Sequence, residues 1–151
     1  MTLRNAYMSD ELEAIYDQTV DFVQNEVVPH GEQWEHDGKV PREVLQKMGS
    51  LGMFSLRVPE EHGGLGMGYV ASAVFSEALG SSTFAGFDTT VLVHTDMASP
   101  HLINSGNDEQ FERYLPGIID GSHIMAIGIS EPDAGSDVAG IRSTAVKDGD
   151  G

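Results

Sequence analysis

The chain has 151 residues and a formal net charge of −16, from 24 Asp and Glu against eight Lys and Arg. That length is sufficient for one domain with a buried core. The negative charge repels nucleic-acid phosphates and anionic lipid surfaces, so we expect neither nucleic acid nor a membrane as a partner. Because the chain has no cysteine, disulfides, thiolate catalysis and cysteine-ligated zinc are excluded.

The beginning of the sequence has no apolar stretch typical of a secretory signal peptide. No later run approaches the ~20 apolar residues of a membrane span. We therefore expect a cytoplasmic protein.

The first predicted helix begins at Ser9 or Asp10, where apolar residues start to recur at three- and four-residue steps. Either residue can cap the helix, and Pro29 is placed to stop it. Residues 30–39 are polar apart from Trp34, and we interpret them as a linker or short helical turn in which Trp34 anchors packing.

A second, shorter helix is predicted to open with Pro41 at its first position and to end at Gly49 or Gly52. Residues 54–58 suggest a brief extended piece. No strand–loop–helix unit of dinucleotide-binding type surrounds the glycine-rich residues 59–68, and no Gly-Lys-Ser/Thr follows them, so we interpret them as a connector.

Residues 69–79 are small and apolar, which predicts a third helix packed on several sides. A fourth helical stretch, residues 83–106, is interrupted by Pro100, which must kink it or start a new turn. Asn107 and Gln110 have the spacing of a capping box for a last helix. The predicted fold is therefore mainly α up to this point.

The 124–140 segment, IMAIGISEPDAGSDVAG, changes character. Its apolar first part, residues 124–129, predicts a buried strand that breaks at Ser130 into a polar loop. Ser130 and Ser136 supply hydroxyls, while Gly135 allows close backbone approach or a positive φ. We place a domain boundary near Gly121, with an all-α domain in residues 1–121 and the first strands of a β-barrel-like domain in residues 122–151.

Residues 128–140, GISEPDAGSDVAG, resemble the signature of the acyl-CoA dehydrogenase flavoprotein family, and residues 59–69, 106–121 and 141–151 resemble it too. The resemblance implies FAD as cofactor and dehydrogenation of acyl-CoA thioesters between the α- and β-carbons, in fatty-acid or branched-chain oxidation. It also implies an electron-transfer flavoprotein or a similar acceptor, and a homotetramer for the full-length protein.

The same resemblance implies individual roles. Ser130 would hydrogen-bond the flavin edge, Ser136 would contact acyl-CoA or the cofactor's phosphates, and His94 would border the acyl pocket. The implied cofactor-binding residues are Ile127, Gly128, Ile129, Ser130, Glu131, Pro132, Asp133, Ala134, Gly135 and Ser136. The implied substrate-binding residues are Ser136 and His94.

Glu131 is a tempting catalytic base, but a lone glutamate beside Pro132 favours a hydrogen-bonding anchor of the loop. By resemblance the base belongs to a C-terminal domain, so we expect no catalytic residue in this chain, no activity of the chain alone and weak FAD binding. His94 and His101 could share a helix face and bind a metal, yet Pro100 lies between them and we expect no metal site. His94 could instead simply pack, and we expect Met53, Met97 and Met125 to fill core gaps.

Two alternatives stay open at this point. The chain could be a non-catalytic acyl-CoA-binding or subunit-assembly module, whose exposed apolar faces would need a partner. The same architecture could also serve an acyl-CoA oxidase or a flavin monooxygenase, which the signature does not separate from a dehydrogenase.

Overall fold

The structure, a computed structural model, describes residues 7–149. The outermost residues of the two predicted domains, 1–6 and 150–151, lie outside that range. The described part is mainly helical, as predicted. Its α-helices are α1 (Asp10–Phe22), α2 (Gly31–Asp37), α3 (Arg42–Ser50), α4 (Tyr69–Leu79), α5 (Ala85–Leu92), α6 (Ser99–Ser105) and α7 (Asp108–Asp120).

Helix α1 begins as its sequence predicts. The Ser9 hydroxyl accepts a hydrogen bond from the N–H of Leu12 at 3.3 Å. Three acidic residues in the first turn lie at the positive end of the helix dipole. The π-helical turn Val23–Val27 continues the helix to just before Pro29.

The predicted interruption around Pro100 is a π-helical turn. Val93–Ala98 joins α5 to α6, and Pro100 lies in the first turn of α6. The helical run is continuous there, since Ser99 N–H donates to the carbonyl of His94 in the preceding π-helical turn. Pro41 differs slightly from its predicted position, because it is the N-cap of α3 rather than its first helical residue.

The core forms where α1, α3, α4 and α5 meet. It is built around large buried side chains that include Phe22, Met48, Phe75, Leu79 and Phe87, and Trp34 packs against them, as predicted. A smaller cluster, Val58, Leu115 and Ile118, lies between α7 and the chain that follows α3. These two clusters hold the helices as one body.

Helices α3 and α7 approach each other closely through a glycine. A Cβ atom added at Gly49 would lie 2.3 Å from the carbonyl carbon of Asp120, at the end of α7. Gly121 follows with a φ of 76°, the left-handed conformation that closes many helices. The chain therefore leaves α7 directly beside α3.

The predicted extended piece at residues 54–58 consists of turns instead. The following connector folds back onto it, since Leu65 N–H donates to the carbonyl of Ser55 at 2.9 Å and Met67 N–H to that of Leu56 at 2.7 Å. The connector satisfies backbone groups that a strand partner would otherwise satisfy.

The predicted strand at residues 124–129 is wrong for this structure, and residues 7–149 contain no strand. Ile124 and Met125 are half-buried, but Ile129 is 48% exposed. A strand needs a neighbouring strand to pair its N–H and C=O groups, and within residues 7–149 no backbone–backbone hydrogen bond joins residues 124–129 to another segment. Met97, expected in the core, is 50% exposed.

Candidate functional site

The polar part of the 124–140 segment folds into a tight turn at residues 131–134. Glu131 N–H donates to the carbonyl of Ala134 at 2.9 Å, and Ala134 N–H donates back at 3.2 Å. Pro132 and Asp133 form the exposed tip, while Ala134 is buried. Because proline fixes one φ angle of the turn, its shape is restricted before anything binds.

Glu131 fixes the base of this turn to the chain beyond it. Its Oε2 accepts a hydrogen bond from Arg142 N–H and its Oε1 one from Ser143 N–H, both at 2.9 Å. The bond from Arg142 contributes most to holding the pKa of the Glu131 carboxyl below its ordinary value. An ionised carboxylate that already accepts two hydrogen bonds matches the predicted anchor, and a general base would need the opposite shift.

The loop leaves its backbone open on both sides of Ser130. A Cβ atom added at Gly128 or at Gly135 would meet nothing within 4 Å. Neither glycine has a positive φ, so of the two roles expected for Gly135 only the close approach of another group fits. These glycines leave room against the main chain for a ligand.

The hydroxyls of Ser130 and Ser136 are the polar groups offered beside that space. Both residues are exposed, and within residues 7–149 no hydrogen bond engages either side chain. Apolar surface surrounds them, with Ile129 48% and Val138 60% exposed. Free hydroxyl donors flanked by exposed aliphatic groups suit a planar ligand that has apolar faces and a polar edge.

Asp133 and Arg142 form an exposed ion pair at the tip, with 3.8 Å between Arg142 Nη1 and Asp133 Oδ2. Both side chains are at least 75% exposed, so solvent screens the pair and it contributes little. The hydrogen bonds of Glu131 therefore determine the shape of the loop more than this pair does.

His94 lies away from the loop, in the π-helical turn, and is 1% exposed. Its Nδ1 accepts a hydrogen bond from Met125 N–H at 3.0 Å, and its Nε2 lies 3.1 Å from the carbonyl oxygen of Ile118. Phe54 meets the ring edge-on. Burial lowers the pKa of His94 from its ordinary value.

The packing role for His94 is thus the one that the geometry supports, because both ring nitrogens bind main-chain groups. Its contact with substrate stays a prediction. The structure brings residues 127–136 together as one loop but does not bring His94 into contact with Ser136. Within the described range, no three His, Asp or Glu side chains group closely enough to hold a metal ion, and His101 is exposed.

The roles of three backbone groups in this region could not be predicted from the sequence. They are the N–H groups of Met125, Arg142 and Ser143, which pair with His94 and Glu131. Every residue but proline carries such a donor, so nothing in the residue types marks them. In each pair, only the side-chain acceptor, His94 or Glu131, could be singled out from the sequence.

Known proteins resemble the chain over most of its length. Residues 9–122 match the family model of the acyl-CoA dehydrogenase N-terminal domain. The mitochondrial long-chain specific acyl-CoA dehydrogenase of Sus scrofa is 40% identical over 130 residues, which cover 85% of this chain and 29% of that protein. The chain thus spans less than a third of that relative.

Solved structures agree with this match. A crystal structure of an acyl-CoA dehydrogenase complexed with FAD, from Bacillus anthracis, has a TM-score of 0.83 and 34% identity, covering 91% of this chain and 23% of that one. An acyl-CoA dehydrogenase from Geobacillus kaustophilus has a TM-score of 0.85 and 35% identity, covering 95% of this chain and 37% of that one.

Proposed function

Because the chain belongs to the acyl-CoA dehydrogenase family, we propose that it supplies the helical domain and the flavin-binding loop of an FAD-dependent acyl-CoA dehydrogenase. The reaction would be dehydrogenation of an acyl-CoA thioester between its α- and β-carbons. The observation that carries the proposal is the loop at residues 127–136, which combines open backbone at two glycines with two free hydroxyls.

The donor set of this loop fits a flavin. The ring system has apolar faces, which the exposed side chain of Ile129 could cover, and a polar edge that could accept a hydrogen bond from Ser130. Bound FAD would take up the hydride that leaves the substrate β-carbon. The loop itself would bind and orient the cofactor, with Ser130 donating to an edge that gains electron density in the reaction.

Ser136 would serve the substrate or the phosphates of the cofactor. Its hydroxyl is exposed in the chain that follows the turn, and Gly135 leaves the adjoining main chain accessible. A net charge of −16 opposes the approach of an anionic coenzyme, so hydroxyl and N–H donors that carry no negative charge are suited to meet it.

No residue of this chain is proposed as the catalytic base. The Glu131 carboxylate is engaged by Arg142 and Ser143, and its pKa is lowered by those bonds. Electron-transfer flavoprotein as acceptor, a tetrameric full-length protein and a cytoplasmic location belong to the same proposal. Within residues 7–149, every helix is too short or too polar to cross a lipid bilayer.

A fluorescence titration of FAD into the chain tests the proposal. We expect weak, saturable binding, and we expect Gly135→Ala to weaken it at least about tenfold because the added methyl group occupies the space needed by the ligand. Gly80→Ala is the matched control, since a Cβ there also meets nothing within 4 Å but lies far from the loop in sequence. Equal binding by the two variants would contradict the loop assignment.

A subunit-assembly module is the second candidate, and an apolar groove favours it. The groove encloses about 410 Å³ between Tyr7 and α4, where Tyr69 is 74% and Val70 49% exposed. Exposed apolar surface of this kind often marks an interface. Light scattering that shows a compact monomer over a wide concentration range would count against this candidate.

A further inference from the structure

The 124–140 segment is tied to the helical body at one point by a hydrogen bond. His123 N–H donates to the carbonyl of Gly117 at 2.8 Å and completes the end of α7. Met125 N–H then donates to Nδ1 of His94 at 3.0 Å. In the described chain, the hydrogen bonds made by residues 126–149 stay within that stretch, so Met125 is the last such link before the loop.

Side-chain packing marks the same point as an attachment. Ile124 packs against the larger core cluster and Met125 against the smaller one. Beyond them the side chains become exposed, as at Ile129 and Ser130. Within residues 126–130 only Ile127 is half-buried, so most of the packing against the helical body ends at Met125.

The tautomer of His94 follows from its two partners. Met125 offers an N–H, which only donates, so Nδ1 must carry a lone pair. Ile118 offers a carbonyl oxygen, which only accepts, so Nε2 must carry the proton. The neutral Nε2–H form satisfies both groups, whereas an imidazolium would direct an N–H of its own against that of Met125.

We propose that His94, as the neutral Nε2–H tautomer, is a positioning residue that fixes where the 124–140 segment leaves the helical body. The proposal rests on the flavin role proposed for that segment. Ser130 lies five residues beyond Met125, at most about 17 Å along an extended chain. A change in the direction of the chain at Met125 therefore displaces the hydroxyl that would meet the cofactor.

Two substitutions separate this role from simple packing. In His94→Asn, the side-chain Oδ1 lies near the place of Nδ1 and can still accept from Met125. In His94→Gln, the side-chain Nε2 lies near the place of the ring Nε2, so it can still donate to Ile118 but leaves Met125 without an acceptor. A packing role favours the larger glutamine, and the positioning role favours asparagine.

The measurement is amide hydrogen exchange of the 151-residue chain, followed by NMR residue by residue. We expect His94→Gln to speed exchange at Met125 about tenfold relative to the α7 amides, the equivalent of one lost hydrogen bond. His94→Asn should leave that ratio within about threefold of wild type, and so should the exposed control His101→Gln. Equal effects of Asn and Gln, or a larger effect of Asn, would overturn the proposal.

A pH titration of the unsubstituted chain gives a second test that does not depend on the variants folding. As His94 gains a proton, below its ordinary pKa, the Met125 amide resonance should move with the His94 ring resonances. Other ionisable groups lie on the elements that hold His94 and Met125. They are Asp96, which pairs with Arg57, Asp120, which accepts from Ser122, and His123. A Met125 amide that follows His123 instead of His94 would contradict the proposal.

The two proposals fail separately. If the unsubstituted chain does not bind FAD, the proposed function fails while the exchange result still stands for His94. If FAD binds and His94→Gln binds it as tightly as His94→Asn does, the positioning role fails while the flavin loop stands. Binding that is weaker at least about threefold in His94→Gln than in His94→Asn supports both.

Discussion

The carboxylate of Glu131 accepts a hydrogen bond from the main-chain N–H of Ser143, twelve residues further along the chain, with 2.9 Å between Oε1 and N. The other carboxylate oxygen accepts from Arg142. One half-buried side chain therefore closes a loop that contains Ser136 and Gly135. The ionised carboxylate has two acceptor oxygens, one for each N–H group. The protonated acid and the amide each replace one of these acceptors with a donor.

The first prediction concerns the pH dependence of this closure. The folded-state pKa of Glu131 is depressed below 4.5, so its stabilising effect is present above that value and is lost as the pH falls through the folded-state pKa. The amide resonances of Arg142 and Ser143 should therefore shift together in acid, and Glu131→Gln should produce a similar shift at neutral pH. Resonances that do not move between about pH 6 and about pH 2 would contradict the closure.

A second prediction concerns the contact between α3 and α7. Gly49→Ala places a methyl group 2.3 Å from the carbonyl carbon of Asp120. Because that atom belongs to the main chain, relieving the clash requires a shift of the helix itself. We expect a loss of about 1–3 kcal/mol in the free energy of unfolding, measured by denaturant titration. Gly80→Ala, which meets nothing within 4 Å at a φ of −58°, should be neutral or stabilising by up to about 1 kcal/mol. Similar losses of stability in both variants would show that the close contact between Gly49 and Asp120 does not determine which side chains fit at position 49.

A third prediction concerns Asp88. Burial raises its pKa, Glu35 adds to the rise, and the hydrogen bond from Ser82, at 2.6 Å, opposes it. A raised folded-state pKa means that the folded protein binds more protons, so the contribution of Asp88 falls as the pH rises from its ordinary value of 3.8 through the folded-state value.

Asp88→Asn removes this titration but keeps an oxygen that can accept from Ser82. We therefore expect the variant to gain stability relative to wild type as the pH rises from about 3 to about 7, in parallel denaturant titrations. A constant difference between the two proteins over that range would contradict the raised pKa.

Features encoded in neighbouring residues could be predicted from the sequence. The capping box is one, since Asn107 and Gln110 exchange hydrogen bonds of 2.9 and 3.0 Å across three residues. The interruption before Pro100 is another, because the ring of proline acts on the preceding turn. The open glycines and hydroxyls of the loop likewise come from residue types that lie next to one another.

Features that depend on distant partners could not be predicted. The contact of His94 with Met125 spans 31 residues and involves a backbone donor that no residue type marks. Residues 124–129 have the composition of a strand, but composition does not supply the neighbouring strand that makes one. Met97 is exposed because its position on the π-helical turn, rather than its hydrophobicity, determines the direction in which it points.

We propose that this chain meets a flavin at the loop formed by residues 127–136. The most direct measurement is an NMR titration of the chain with FAD that locates the amide shifts. We expect the largest changes at residues 127–136, with smaller changes in the helices of the core. Changes centred on the cavity between Trp34 and Thr90, or no residue-specific changes at saturating FAD, would contradict this proposal.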